Sequence, residues 1–143
     1  MLFRAIAVGT KEYALECRLR DEVLRKPLGL SLGDHDLADE KSQLHFGLFD
    51  PDGALVACVI AVPLSPTEAR IRQMAVSPAH QRKGLGRLVM VELEETLRAR
   101  GFRRFVLNAR TSAAGFYEKL GYAAVGDEFM EHTIRHVLMA KTV

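Results

Sequence analysis

Long apolar runs are missing from this chain, and none approaches the roughly 20 residues that a membrane-spanning helix needs. The opening Met1-Leu2-Phe3-Arg4-Ala5-Ile6 has neither the charged lead nor the extended apolar region of a secretory signal peptide. Cysteine is scarce as well. Cys17 and Cys58 are the only two, far apart and each inside an apolar pattern, which reads as two buried free thiols rather than a disulfide, a metal site or a nucleophile. These absences give the expectation of a cytoplasmic protein. Two nucleotide signatures are also missing. No Gly-x-x-x-x-Gly-Lys-Ser/Thr string occurs, and Gly84-Leu85-Gly86 runs on to Val89 without the third glycine of a dinucleotide fingerprint. Nothing suggests disorder, because 48% hydrophobic and 27% charged residues are ordinary for a folded chain. The 143 residues fit one domain spanning 1–143.

What is present is an uneven charge distribution. The net charge is +2, yet between Arg70 and Arg110 there are ten basic and three acidic residues, so that stretch carries +7 and the remainder −5. Nucleic-acid binding is one reading of such a basic half. The basic residues flank a single loop with no aromatic stacking platform among them, so nucleic acid is disfavoured and a compact phosphorylated ligand fits better.

That loop is Gln81-Arg82-Lys83-Gly84-Leu85-Gly86. An apolar strand-like run, Ile71 to Val76, precedes it, and a helical run, Leu85 to Arg100, follows. Glycines let the backbone approach a ligand closely. The free N–H groups and dipole of the first helical turn favour an anion, and Arg82, Lys83 and Arg87 add full positive charges. The combination reads as a pyrophosphate cradle, beside the plainer reading of a basic strand-to-helix turn.

Elsewhere the chain reads as alternating elements. Phe3 to Val8 forms a first strand. Thr10 caps a helix running to about Lys26, where Pro27 and Gly29 stop it. Leu15, Leu19 and Val23 make its core stripe, and Arg18, Arg20 and Arg25 lie mostly off it in solvent. Ser31 to Ser42 is a polar, acidic loop or short helix. Strands Leu44 to Phe49 and Ala54 to Val62 are joined at Asp50-Pro51-Asp52-Gly53. Glu68 to Val76 is the next strand. The helix from Leu85 buries Leu85, Leu88, Val89, Leu93 and Leu97, pairs Glu94 with Arg98 and ends at Gly101. A strand around Phe105 to Leu107, a short helix from Ala113 to Leu120, and strands Tyr122 to Val125 and His132 to Ala140 complete a mixed α/β (α+β) chain.

A second motif follows the loop: Asn108, Arg110, then Ala113-Ala114-Gly115-Phe116-Tyr117-Glu118-Lys119-Leu120-Gly121-Tyr122. Alone, Phe116 and Tyr117 would read as core aromatics. With the first motif one strand upstream, the chain resembles the GNAT superfamily of acyl-CoA-dependent N-acetyltransferases. Residues 81–86 match its pyrophosphate motif, and Ala113, Phe116-Tyr117 and Gly121-Tyr122 match its second motif. The segments Val23 to Gly29 and Glu128 to Met139 are similar to a bacterial subgroup of poorly defined substrate.

The resemblance implies a single GNAT-like domain: a mixed sheet of about six to seven strands, the fourth and fifth splayed by a bulge, flanked by about four helices. It implies acetyl-CoA as cosubstrate and no metal. Met74, Ala75 and Val76 would offer backbone hydrogen bonds to the pantetheine. Gln81, Arg82, Lys83, Gly84, Leu85, Gly86 and Arg87 would hold the pyrophosphate, with Asn108 and Phe116 beside the cofactor. Relatives commonly carry Asn seven residues before the Tyr, where this chain has Arg110. Tyr117 matches the family's general acid near the CoA sulfur. The acceptor would be a small-molecule or peptide amine, its base one of Glu131, His132, His136 or His45, or a water chain. Acidic stretches at Asp34 to Glu40 and Asp127 to Glu131 read either as a mouth for a cationic amine or as solvated loop and turn. A homodimer is one assembly open to such a domain. The rival readings are a non-catalytic acyl-CoA sensor on the same fold and, below it, a nucleic-acid-binding module.

Overall fold

The computed structural model describes residues 1–31, 33 and 37–143. Seven strands form one sheet in the order β1-β2-β3-β4-β5-β7-β6: β1 Leu2–Ile6, β2 Leu44–Phe49, β3 Leu55–Pro63, β4 Glu68–Val76, β5 Arg104–Arg110, β6 Ala123–Glu131 and β7 Ile134–Thr142. All neighbours are antiparallel except β4 and β5. Among the described residues there are three α-helices, one fewer than expected: α1 Lys11–Arg20, α2 Leu85–Ala99 and α3 Ala114–Lys119. The Thr10 side chain caps α1 by accepting from the Tyr13 N–H. Past Arg20 the chain continues as a π turn and then a 3-10 turn carrying Pro27. No described helix is long and apolar enough to cross a membrane.

The main core lies between the sheet and α2, which buries Val89, Met90, Leu93 and Leu97. These pack with Ala57, Val59, Ile71, Phe105 and Met139 from the strands. Gly101, at φ 99, ends α2, and the Phe102 N–H returns to the Leu97 carbonyl at 3.1 Å, the six-to-one bond of a left-handed helix stop. Glu94 does not pair with Arg98. It accepts from Lys141 Nζ at 2.7 Å and from the Tyr122 hydroxyl at 3.0 Å, since a half-buried lysine of β7 and a buried tyrosine just past α3 outcompete an exposed neighbour on the same helix.

Helix α1 packs on β3 and β4 through Leu19, Cys58 and Ala75. Cys58 alternates with Ala57 and Val59 of the main core, so this is the other face of the sheet. The expected Leu15-Leu19-Val23 stripe holds at Leu19 and Val23 and is corrected at Leu15, which is 36% exposed, whereas Glu16 and Arg20 are fully buried at 0%. Arg20 donates to Glu16 at 3.0 Å and to both carboxylate oxygens of Glu40 at 2.8 and 2.6 Å. Arg72 reaches Glu40 at 3.2 Å. His45 Nδ1 lies 2.9 Å from Glu16 Oε2, and Nε2 lies 2.8 Å from the Glu40 carbonyl. Both partners only accept, so both ring nitrogens donate and His45 is the imidazolium. Glu16, Glu40 and His45 lie as close together as ligands of a cation, and here the Arg20 guanidinium is that cation.

This network gives stability a two-sided pH dependence. Burial by itself would raise the Glu40 carboxyl, but hydrogen bonds from Arg20 and Tyr13 and the charges of Arg20 and Arg72 outweigh it and hold it near about 2. A depressed carboxyl stabilises the fold above its ordinary range and loses that contribution as pH falls through the native value. Burial by itself would lower His45, but the bond to Glu16 and its charge outweigh it and raise it above 6.5. A raised histidine contributes fully below its ordinary value and less as pH climbs through the native one. The urea midpoint is therefore expected to drop on acidification from roughly pH 5 toward 2, and to begin falling above 6.5. His45→Gln should abolish the alkaline decline and spare the acid one.

The sheet opens where β4 changes register. Cys58 pairs with Ala75, but Ile60 pairs with Arg72, so β4 carries one extra residue, a β-bulge. Gln73 lies in it at φ 56, left-handed without being glycine, and its side-chain oxygen is 3.4 Å from Arg20 Nε. Strand β5 pairs with β4 only at Glu68–Arg104, Ala69–Phe105 and Arg70–Val106. Beyond Arg70 the two strands part, as the fourth and fifth were expected to do.

Candidate functional site

The basic loop leaves the end of β4 through a 3-10 turn, Pro78–His80. The Gln81 side-chain amide donates to the Val76 carbonyl at 3.0 Å and ties the loop to the strand it left. Arg82 and Gly84 both take left-handed backbone angles, φ 63 and 77. Gly84 is the N-cap of α2 with no side-chain cap, and the first helical bond runs from the Leu88 N–H to the Gly84 carbonyl at 3.1 Å. The N–H groups of Leu85, Gly86 and Arg87 thus have no acceptor within the helix, and the left-handed turns before them gather backbone donors into a concave nest.

A cavity of about 530 Å³ lies over this nest, walled by Met74 and Val76, by Gln81, Arg82 and Gly84 through Arg87, and by Phe116 and Tyr117. A Cβ on Gly86 would sit 3.4 Å from Phe116 Cζ and 3.7 Å from Met74 Cε, in ordinary contact with both, so the helix start lies directly against these two wall side chains. Among the described residues, His80 Nδ1 is the buried side-chain polar atom left without a partner, and His80 lines this same cavity. An unfilled polar atom, an uncapped helix start and two arginines suit an elongated phosphorylated molecule. Lys83 is exposed and lies outside this wall. The Ala75 side chain is buried on the α1 face, which leaves it only backbone to offer.

A second cavity, about 440 Å³, fills the gap between the parted strands. Val23, Leu24 and Leu28 roof it from the segment after α1, and Arg70, Arg72, Asn108 and Arg110 line it from the sheet. Asn108 and Arg110 alternate with buried Leu107 and Ala109 along β5. The two cavities share Met74, Ala113 and Tyr117.

Tyr117 differs from the other two tyrosines. The Tyr13 hydroxyl donates to Glu40 at 2.7 Å and that of Tyr122 to Glu94 at 3.0 Å. The Tyr117 hydroxyl has no hydrogen-bond partner among the described residues. Its ring is fixed edge-on between Phe116 and Tyr122, with centroids 5.0 and 5.9 Å away. Burial pushes its hydroxyl up to about 12, so it stays protonated across the physiological range.

The candidate bases separate. His45 is enclosed in the ionic network and lines neither cavity. Glu131, His132 and His136 all line the cavity between β4 and β5. The β6–β7 hairpin brings His132 there through a two-residue turn with φ 52 and 61, the twist that suits antiparallel strands. His136 Nδ1 lies 2.8 Å from the Ile134 carbonyl. A carbonyl only accepts, so Nδ1 carries a proton and Nε2 is the ring nitrogen left for a ligand. The acidic stretches do not form a mouth among the described residues: Glu40 is buried against Arg20, Asp39 is exposed, and of Asp127 to Glu131 only Glu131 reaches the cavity. Asp34, His35 and Asp36 lie outside the described residues. The arginines that line the cavity went unassigned from sequence, because only the bulge and the β4–β5 pairing bring them together.

The profile of the acetyltransferase (GNAT) domain matches residues 34–143. YyaT of Bacillus subtilis, an uncharacterized protein, is 39% identical over 75 residues, 52% of this chain and 51% of YyaT. The chain spans about half the length of the curated relatives it matches. Escherichia coli ElaA superposes with a TM-score of 0.85 at 20% identity, covering 99% of both chains. An aminoglycoside 6′-N-acetyltransferase complexed with coenzyme A superposes with a TM-score of 0.76 at 19% identity, covering 99% of this chain and 97% of that one. At these identities the two structures establish a common fold.

Proposed function

Since the chain belongs to the acetyltransferase (GNAT) family, we propose that it transfers an acetyl group from acetyl-CoA to a primary amine by direct attack. The observation that carries this reading is the Tyr117 hydroxyl, uncommitted and on the wall common to both cavities. The aminoglycoside acetyltransferase of the same fold, solved with coenzyme A, supports the choice of donor.

In this reading the N–H groups of Leu85, Gly86 and Arg87, with Arg82 and Arg87 side chains, hold the pyrophosphate, and Lys83 adds charge nearby. Gln81 and Gly84 shape the loop. The unpaired edge of Met74, Ala75 and Val76 receives the pantetheine as a further strand would be received, with Asn108 and Phe116 at its sides. One backbone N–H of that edge polarises the thioester carbonyl. The amine enters from the cavity between β4 and β5. A C–N bond forms, the C–S bond breaks, His136 Nε2 takes the proton the amine loses, and the Tyr117 hydroxyl donates to the departing thiolate. The dry wall that raises the phenol also makes the thiolate more basic, which keeps donor and acceptor matched.

Free-thiol release and acetyl mass shift, measured over amino acids, polyamines, aminoglycosides and peptide N-termini, test the activity. Tight CoA binding with no turnover of any amine would indicate a sensor instead. His136→Gln is expected to lower kcat/KM by about 10²- to 10⁴-fold with CoA affinity unchanged; an unaltered kcat/KM would pass the base role to Glu131, His132 or water.

A further inference from the structure

The cavity between β4 and β5 has the wrong charge for a cationic acceptor. Arg25, Arg70, Arg72 and Arg110 line it with Glu131, its single carboxylate among the described lining residues. Arg72 is engaged already, with Glu40 at 3.2 Å and Gln43 at 2.9 Å. Arg70 and Arg110 have no acidic partner among the described residues. Each stands on one of the parted strands, Arg70 at the last β4–β5 pair and Arg110 at the end of β5, opposite His136 of β7. Two guanidinium groups with no acidic partner among the described residues therefore flank the gap that leads to Tyr117.

From this we propose that the acceptor is a primary amine carrying an acidic group, a carboxylate or a phosphate, held by Arg70 and Arg110 with its amino group toward Tyr117. The inference rests on reading this cavity as the acceptor side of an acetyltransferase. The planar guanidinium fork takes a carboxylate or phosphate in two parallel hydrogen bonds. The same positive wall opposes a polyamine, whose charges would meet like charges. It also favours the neutral form of an amino group brought beside it, and the neutral amine is the nucleophile. A cavity of about 440 Å³ suits a small molecule.

Calorimetric titration of the CoA-saturated protein with matched amines tests this, using phenylalanine against phenethylamine, lysine against cadaverine, and phosphoethanolamine against ethanolamine. At least one acid-bearing member should bind about 10- to 100-fold more tightly than its counterpart, and the pair that discriminates tells carboxylate from phosphate. Arg70→Gln and Arg110→Gln should each erase that preference while CoA affinity holds, and Arg110→Lys should restore part of it. Absence of discrimination in every pair overturns the inference, as does preference for the acid-free amines or a preference untouched by both glutamine variants. Thiol release from the same mixtures separates the two readings. Acid-dependent binding without turnover overturns acetyl transfer and upholds the acidic acceptor, whereas turnover of acid-free amines alone does the reverse.

Discussion

Tyr117→Phe is expected to lower kcat by about 10²- to 10⁴-fold while CoA affinity stays within about twofold. The substitution removes one oxygen and keeps the ring that packs between Phe116 and Tyr122. Burial already holds the hydroxyl protonated, so no pH in the working range supplies what the variant lacks. Tyr122→Phe is the matched control. Its hydroxyl is bound to Glu94, and its loss should alter stability and leave kcat near the parent value. Steady-state kinetics on both variants, with CoA titrated separately, distinguishes the roles. Unchanged turnover in Tyr117→Phe would remove this residue from the chemistry.

Arg20→Met is expected to cost about 3–5 kcal/mol of unfolding free energy at pH 7, the range for a buried ion pair stripped of one partner. Glu16 and Glu40 would remain buried and negative, with His45 and Arg72 in place but neither able to fill the guanidinium's position between them. The loss should shrink at lower pH, since the unpaired carboxyls take up protons more readily and the parent forfeits its own advantage on acidification. Adding Glu40→Gln to Arg20→Met should recover part of the loss, because the two residues are coupled. Urea unfolding of the parent and both variants at two pH values measures these differences. A loss below about 1 kcal/mol for Arg20→Met would make the network an ornament of the fold rather than its brace. The network also meets the bulge that parts β4 from β5, since Arg20 Nε lies 3.4 Å from Gln73 Oε1.

How far the sequence could be read depends on how local each feature is. The loop from Gln81 to Gly86 was legible because a helix start without a side-chain cap is made by adjacent residues, whereas Tyr117 was singled out only by the resemblance of the second motif to the family's. The mixed sheet and the splay of its fourth and fifth strands were also expected, from the resemblance. The inward face of α1 was legible only in part. Leu19 and Val23 pack inward as the helical period predicts, but Leu15 stays exposed, and partners as remote as Glu40 and His45 draw Glu16 and Arg20 inside. Glu94 shows the same competition, drawn to Lys141 rather than to Arg98. The arginines between β4 and β5 were the hardest to read. Arg70 and Arg110 lie 40 positions apart, and nothing in their neighbours announces that a bulge and a parallel pairing bring them to one cavity.

A crystal structure of the protein with coenzyme A tests the central claim most directly, because it shows whether one ligand joins the two cavities at Tyr117. The pyrophosphate should lie on the N–H groups of residues 85–87, the pantetheine along residues 74–76, and the sulfur within hydrogen-bonding reach of the Tyr117 hydroxyl. A coenzyme bound elsewhere, or bound on the loop with its sulfur turned away from Tyr117, would contradict it.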